Sequence, residues 1–302
     1  MPKVSVIVPI FGVEQHIEHC AESLFSQTID SIEYIFIDDC SPDKSIEILK
    51  GVLSRFPSRK EQVKIIHNQK NLKQAASRSV GLHAATGDYI IHCDPDDWVE
   101  SNMYESLYSR AIHTDADIVT CDFFKEWTKG SEIFHIPQIS SPHDCITEAT
   151  MKSHWSLWNR MVRRSLIQDR GIDFLQGVNM WEDLCFMVQC YYFANKIEYV
   201  SKPLYHYNLS NLQSITNVVD DSKLDQQKKC IAFLESFFLD KKEDFTGFIQ
   251  MYKHFLSIAA IYSKNQPILI NLRKGGRFKK ILYLLINLPR KIKTLLLLRS
   301  VK

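Results

Sequence analysis

The sequence predicts an α/β fold, a mostly parallel sheet with helices on both faces. Three observations predict it. Short β-branched and aromatic runs recur through the first 120 residues, segments with helical apolar spacing separate them, and acidic side chains collect just after the runs. Strand followed by helix at this spacing favours parallel pairing, and ligands of open α/β sheets bind outside the carboxyl ends of the strands.

Residues 4–8 read as a buried parallel strand closed by Pro9. Ile17, Cys20, Ala21, Leu24 and Phe25 share one face of a helix expected over 14–28. A second strand is expected at 34–37, ending in Asp38 and Asp39. Ser41-Pro42-Asp43 then reads as a helix start: serine as N-cap, proline at the first helical position, an acid in the first turn. Strand 63–66, helix 73–85, strand 89–91, helix 100–113 and strand 118–120 continue the alternation, and residues 223–264 read as an amphipathic helical addition.

Composition fits a globular protein of 302 residues, with 45% hydrophobic and 24% charged side chains and no low-complexity tract. The net charge of +2 is unevenly placed. Residues 265–302 carry ten Lys or Arg and no Asp or Glu, leaving 27 basic against 35 acidic side chains elsewhere. Short apolar blocks separate the basic clusters there, none near the ~20 residues that span a bilayer. That pattern suits a helix lying on an anionic membrane surface, and its leucines argue against nucleic acid as the partner. The eight cysteines show no C-x-x-C pair and no zinc-ligand spacing, and Met1 to Val4 runs straight into a strand pattern. A reducing, cytoplasmic location is therefore expected, peripheral on the cytoplasmic face of the inner membrane.

Asp94, Asp96 and Asp97 crowd three carboxylates into four positions after strand 89–91. Like charges that close repel, whereas hard cations such as Mg²⁺ or Mn²⁺ bind carboxylates and phosphates together. A metal–phosphate site and a solvated acidic turn both account for the cluster taken alone. Neither G-x-G-x-x-G nor G-x-x-x-x-G-K-[ST] is present, so no Gly-rich loop cradles a phosphate.

Four blocks carry a more specific signal: Val4-Ser5-Val6-Ile7-Val8-Pro9-Ile10-Phe11, Ile37-Asp38-Asp39-Cys40-Ser41-Pro42-Asp43, Ala84-Ala85-Thr86-Gly87-Asp88-Tyr89 and Asp94-Pro95-Asp96-Asp97. Their order and separation resemble the family 2 glycosyltransferases over residues 1–110, with weaker matching to 216. The resemblance implies an inverting enzyme with the GT-A fold, whose sheet is Rossmann-like. It would occupy residues 1–218, with a nucleotide-sugar half at 1–120 and an acceptor half at 121–218. A helical region at 219–302, including the basic tail at 265–302, would follow.

The resemblance also implies roles. Pro9 to Phe11 would line the nucleobase and ribose, Asp39 and Arg78 would reach the nucleotide, and Asp38 would support the loop. Asp96 would contact the ribose, and Asp97 would bind Mn²⁺ or Mg²⁺ bridging the diphosphate. Taken alone, Arg78 reads as a charge on a solvated helix face. Trp181-Glu182-Asp183 matches an acidic pair opening a helix, which implies Asp183 as general base with Glu182 as runner-up. Stabilisation of the helix dipole is the purely structural reading of that pair. Trp155, Trp158 and Trp181 are three of five tryptophans, and Trp181 is expected to face a sugar ring. Arg160 is a candidate contact to diphosphate or acceptor, and His206 reads as structural rather than metal-binding.

Departures from the family pattern are Gly12 for Asn, Cys40 for Gly, Leu72-Lys73-Gln74 for a Gly-rich stretch, Ser79 for Asn, and Pro95 for Ser or Ala. None removes a carboxylate. The expected reaction moves a sugar from a nucleotide donor, with UDP the expected nucleotide, to a saccharide acceptor that is lipid-linked. The expected setting is capsule, O-antigen or exopolysaccharide synthesis. A non-catalytic sugar-nucleotide or glycan-binding subunit on the same fold is the alternative, and the intact carboxylates favour the enzyme.

Overall fold

The computed structural model describes residues 2–147, 155–211 and 221–264. Strands and helices alternate through β1 (Val4–Ile10), α1 (Ile17–Phe25), β2 (Ile32–Asp38), α2 (Ser45–Ser54), β3 (Val63–His67), α3 (Gln74–Ala84) and β4 (Tyr89–His92). Next come β5 (Trp98–Val99), α4 (Met103–Thr114), β6 (Ile118–Trp127), β7 (Gly130–Phe134) and α5 (Pro142–Thr147). The second half continues with β8 (Arg160–Arg163), α6 (Arg164–Asp169), α7 (Glu182–Phe193), β9 (Ile197–Asn208), α8 (Asp221–Phe238) and α9 (Thr246–Lys264).

Among the described residues one sheet runs in the order β3-β2-β1-β4-β8-β6-β9-β5, with β7 hairpinned onto β6. The first four strands are parallel, and β8 joins β4 antiparallel. β1 lies at the centre of the parallel half, wholly buried. Its alternate residues serve two cores: Val4, Val6, Val8 and Ile10 meet α1, α2 and α4, while Ile7 meets the cluster that includes α3 and α7.

β1 does not stop at Pro9, as the sequence suggests, but pairs with β2 as far as Ile10. Its pairing with β4 ends at Ile7, so the missing Pro9 N–H falls where the β4 side of the strand has run out. The helix start at Ser41 is also displaced. α2 begins at Ser45, and Asp43 accepts the Ser45 N–H at 3.1 Å in a turn. Ser41 Oγ instead accepts the Gly12 N–H at 2.9 Å, tying the loop after β1 to the loop after β2. β6 extends seven residues past the expected strand end, because register shifts between Cys121 and Phe123 break its period-two pattern.

Two glycines let the layers approach. A Cβ on Gly87 would stand 2.7 Å from Ser5 Oγ, and one on Gly81 would stand 2.4 Å from Ile7 Cγ2. The first lets β4 enter beside β1; the second seats α3 directly on β1. α8 and α9 close the other core through aromatic contacts, Trp155 to Phe248 at 6.1 Å, Trp181 to Tyr252 at 5.1 Å and Tyr192 to Phe237 at 5.4 Å. No described helix is long and apolar enough to cross a membrane. The basic tail expected at 265–302 lies outside the described residues.

Candidate active site

The close seat of α3 on β1 carries Arg78 over the carboxyl ends of β1 and β4. Arg78 is not a solvated surface charge, since its exposure is 1%. Nη1 donates to Asp183 Oδ1 at 2.5 Å and to Glu182 Oε1 at 3.1 Å, and Nη2 donates to Asp94 Oδ1 at 2.8 Å. One guanidinium therefore joins the start of α7 to the loop after β4. A single cation against three carboxylates leaves that cluster short of positive charge. Burial pushes Asp183 up to about 8, reinforced by Glu182 and Asp94 and opposed by Arg78. Burial also raises Glu182. His92, the last residue of β4, is pushed well below the ordinary imidazole value by burial and by the Arg78 charge.

Trp181 positions the acidic pair. Its backbone is left-handed, with φ +66°, and its carbonyl accepts the Cys185 N–H, so Glu182 and Asp183 open α7 where the helix dipole favours negative charge. Left-handed backbone is uncommon for a large aromatic residue and collects at functional sites. The Trp181 ring, half-buried, packs edge-on against Tyr252 of α9.

Asp39 organises the loop that leads into α3. Its exposure is 3%, and it accepts from Leu72 N at 2.7 Å, Lys73 N at 2.9 Å and Asn68 Nδ2 at 2.9 Å. Those bonds hold Lys73 at φ 73° and ψ 169°, a conformation essentially confined to glycine. Lys73 is one of the residues replacing the family's Gly-rich stretch. Asp38 accepts the Ser41 N–H at 2.9 Å and pairs with His67 Nδ1 at 2.8 Å, which fits a loop-supporting role. Beside them Phe11 stands 46% exposed at the end of β1, and Pro9 is buried in it.

The acidic loop is held from behind by β9. Asp97, 1% exposed, accepts from Tyr205 Oη at 2.6 Å and Asn208 N at 2.7 Å. Asp96 is half-buried and accepts from Asn211 Nδ2 at 2.8 Å. Burial and the neighbouring carboxylates raise both acids. These donors are neutral, so the pair's charge is stabilised without being cancelled. Sequence reasoning missed Tyr205, Asn208 and Asn211, and gave Asp94 no role of its own. The one sequence feature singled out on that strand was His206, whose neighbours Tyr205 and Asn208 make the contacts.

One expectation changes. Arg160 does not face a cleft: it is 2% exposed, and it donates to Tyr191 Oη at 2.7 Å, Asn159 Oδ1 at 2.8 Å and Ser156 Oγ at 2.9 Å. A guanidinium so engaged is not a contact for diphosphate or acceptor. Asp97, with each oxygen accepting one hydrogen bond and almost no exposed surface, is held firmly at the base of the acidic loop. Trp158 is a core residue stacked on Tyr205 at 4.2 Å. His206 lies between Trp98 and Phe124 and pairs with Glu126 at 2.8 Å and Glu100 at 3.0 Å, which is a structural arrangement. All eight cysteines are free.

Comparison with known proteins identifies the family and the fold. The profile described as Glycosyl transferase family 2 matches residues 5–175. The uncharacterized glycosyltransferase EpsJ of Bacillus subtilis (strain 168) is 30% identical over 284 residues, 88% of this chain and 80% of EpsJ. The putative glycosyltransferase EpsH of the same organism is 34% identical over 223 residues, 71% of this chain and 62% of EpsH. Among solved structures, S. aureus TarS 1-349 in complex with UDP-GlcNAc superposes with a TM-score of 0.69 at 19% identity, covering 91% of this chain and 78% of that one. The mannosyltransferase PcManGT from Pyrobaculum calidifontis, in complex with GDP-Man and Mn²⁺, gives 0.60 at 14% identity, covering 97% and 83%. The fold is thus GT-A, and this chain belongs to glycosyl transferase family 2, a glycosyltransferase.

Proposed function

We propose that this glycosyltransferase is inverting and metal-dependent, moving a sugar from a UDP donor to a lipid-linked saccharide, with Asp183 as the general base. The observation that carries this reading is the buried Arg78, which ties Asp183 and Glu182 to Asp94 in the acidic loop. An inverting displacement needs a base on the acceptor side and charge stabilisation on the leaving-group side of one sugar carbon. Arg78 fixes those two elements relative to each other. Asp183 takes the acceptor hydroxyl proton as that oxygen attacks the anomeric carbon. Its raised carboxyl is suited to receive a proton, and Glu182 stays behind it in the Arg78 clamp.

The chemistry of the acidic loop is what supports a divalent ion. Asp96 and Asp97 supply hard oxygen ligands that meet neutral hydrogen-bond donors, and Mg²⁺-type sites are often completed by substrate phosphates rather than by protein. Asp96 would hold the ion, with Asp97 fixing the loop beneath it. The chemistry such an ion supplies is neutralisation of charge on the departing diphosphate.

The TarS complex with UDP-GlcNAc supports UDP as the nucleotide, and the PcManGT complex supports Mn²⁺. A relative named cholesterol galactosyltransferase, from Borreliella burgdorferi, is 28% identical over 278 residues and supports a lipid on the acceptor side. The ten basic residues of 265–302 suit a peripheral position on an anionic membrane surface, where a surface polysaccharide would be extended.

Calorimetric titration of UDP, GDP and CMP, each with and without Mn²⁺, into wild type and Asp96→Ala tests the site. Binding of UDP that requires Mn²⁺ and is lost in the variant is expected. Absence of nucleotide binding under every condition would overturn the reading.

A further inference from the structure

Tyr207 has no part in the site described so far, yet it faces the same space. β9 alternates its side chains, so Tyr207 shares a face with Tyr205, whose hydroxyl holds Asp97. Its ring stacks on Trp158 at 5.5 Å and 26°, which fixes its direction, and the residue is only half-buried. The carboxylates that act on its hydroxyl are Asp97, Asp94, Asp96 and Asp183. The first three come from the acidic loop and the last from the start of α7. Tyr205 and Asn208, on either side of it in β9, both hydrogen-bond Asp97, and Tyr205 stacks on the same Trp158, so the phenol stands on the acidic-loop side of the site. Among the described residues, no group forms a hydrogen bond with that hydroxyl.

A phenol among carboxylates can only be useful there as a donor, and burial with its acidic neighbours pushes Tyr207 up to about 12, so it keeps its proton. We infer that Tyr207 donates its hydroxyl hydrogen bond to the β-phosphate of a bound nucleoside diphosphate sugar, the group whose charge grows as the sugar departs. This rests on reading the site as a nucleoside-diphosphate-sugar site. Three features support the phosphate over the acceptor. The β9 residues flanking Tyr207, Tyr205 and Asn208, hold Asp97 of the acidic loop. A neutral donor suits an anion that a metal has only partly neutralised. Asp183, as the base, needs its acceptor contact for itself.

Tyr207→Phe tests this, because it removes only the oxygen and keeps the ring on Trp158. The probes are UDP and UMP, titrated with Mn²⁺ into the full-length wild type and the variant. A hydrogen bond to a charged group should raise the Kd for UDP roughly 10- to 100-fold. The Kd for UMP, which lacks the β-phosphate, and the thermal midpoint should stay at wild-type values. Equal UDP affinity in both proteins would overturn the assignment. Equal weakening of UDP and UMP would also overturn it, by showing a general loss of pocket shape. If wild type itself binds no UDP, the nucleotide reading has failed instead, which separates the two conclusions.

Discussion

Arg78→Met removes the cation that joins α7 to the acidic loop while nearly keeping the side-chain length. Breaking a buried ion pair by removing one partner costs about 3–5 kcal/mol, because the remaining charges stay desolvated. The carboxylates left behind have side-chain exposures of 20% for Asp94, 9% for Glu182 and 25% for Asp183. Water can reach two of them, which places the expected loss near the lower end, about 3 kcal/mol. With a urea m-value of about 3 kcal/mol/M, the midpoint should fall by roughly 1 M at neutral pH. The pH dependence identifies the mechanism. Asp183 sits at about 8 in the fold against an ordinary 3.8, so the folded state keeps a proton that the unfolded chain gives up. That contribution is complete below about pH 4 and is lost as pH rises through about 8. Removing Arg78 pushes the carboxyl higher still, so the variant's deficit should be larger at about pH 8.5 than at about pH 5. Urea denaturation followed by tryptophan fluorescence at both pH values measures it. Coincident midpoints, or a deficit that grows on acidification, would refute the role assigned to Arg78.

Other perturbations separate strain, charge and chemistry. Lys73→Gly should stabilise the protein by about 1 kcal/mol, because relief of a glycine-type backbone conformation exceeds the added chain entropy; a lower melting temperature would contradict the strain. Asp97→Asn should raise the melting temperature, since it removes one of several mutually repelling buried charges, while weakening Mn²⁺-dependent UDP binding. A variant that is both less stable and fully competent in binding would contradict that trade. In the wild type, kcat/KM should climb with pH through about 8 as Asp183 loses its proton. A profile flat from about pH 6 to about pH 9 would take the base role away from it.

The parallel half of the fold was legible because its strands are buried on both faces and its helices keep an apolar stripe. β1, β2, β4 and α3 fall within a residue or two of their expected limits. Less of the second half could be read. β6 hides behind its register shifts, and β8 is only four residues long, with arginine at both ends. Site residues at strand ends were visible as carboxylates, but their donors were not. Tyr205, Asn208 and Asn211 reach the acidic loop from more than 100 positions away, and no local pattern marks such a contact. Arg78 and Arg160 illustrate the same limit. Arg78 taken alone reads as a solvated charge and Arg160 as a contact to diphosphate or acceptor, yet both are buried, one across the candidate catalytic carboxylates and the other among the core residues Tyr191, Ser156 and Asn159.

The central claim is that Asp183, positioned by Arg78, removes the acceptor proton in sugar transfer. Its most direct test is the turnover of Asp183→Asn with the UDP-sugar that wild type uses, measured as UDP release, alongside the affinity of the variant for UDP. General-base catalysis is worth about 10²–10⁴-fold in rate, so turnover should fall by that factor while the Kd for UDP stays at the wild-type value. Turnover equal to wild type would contradict the claim and place the base elsewhere.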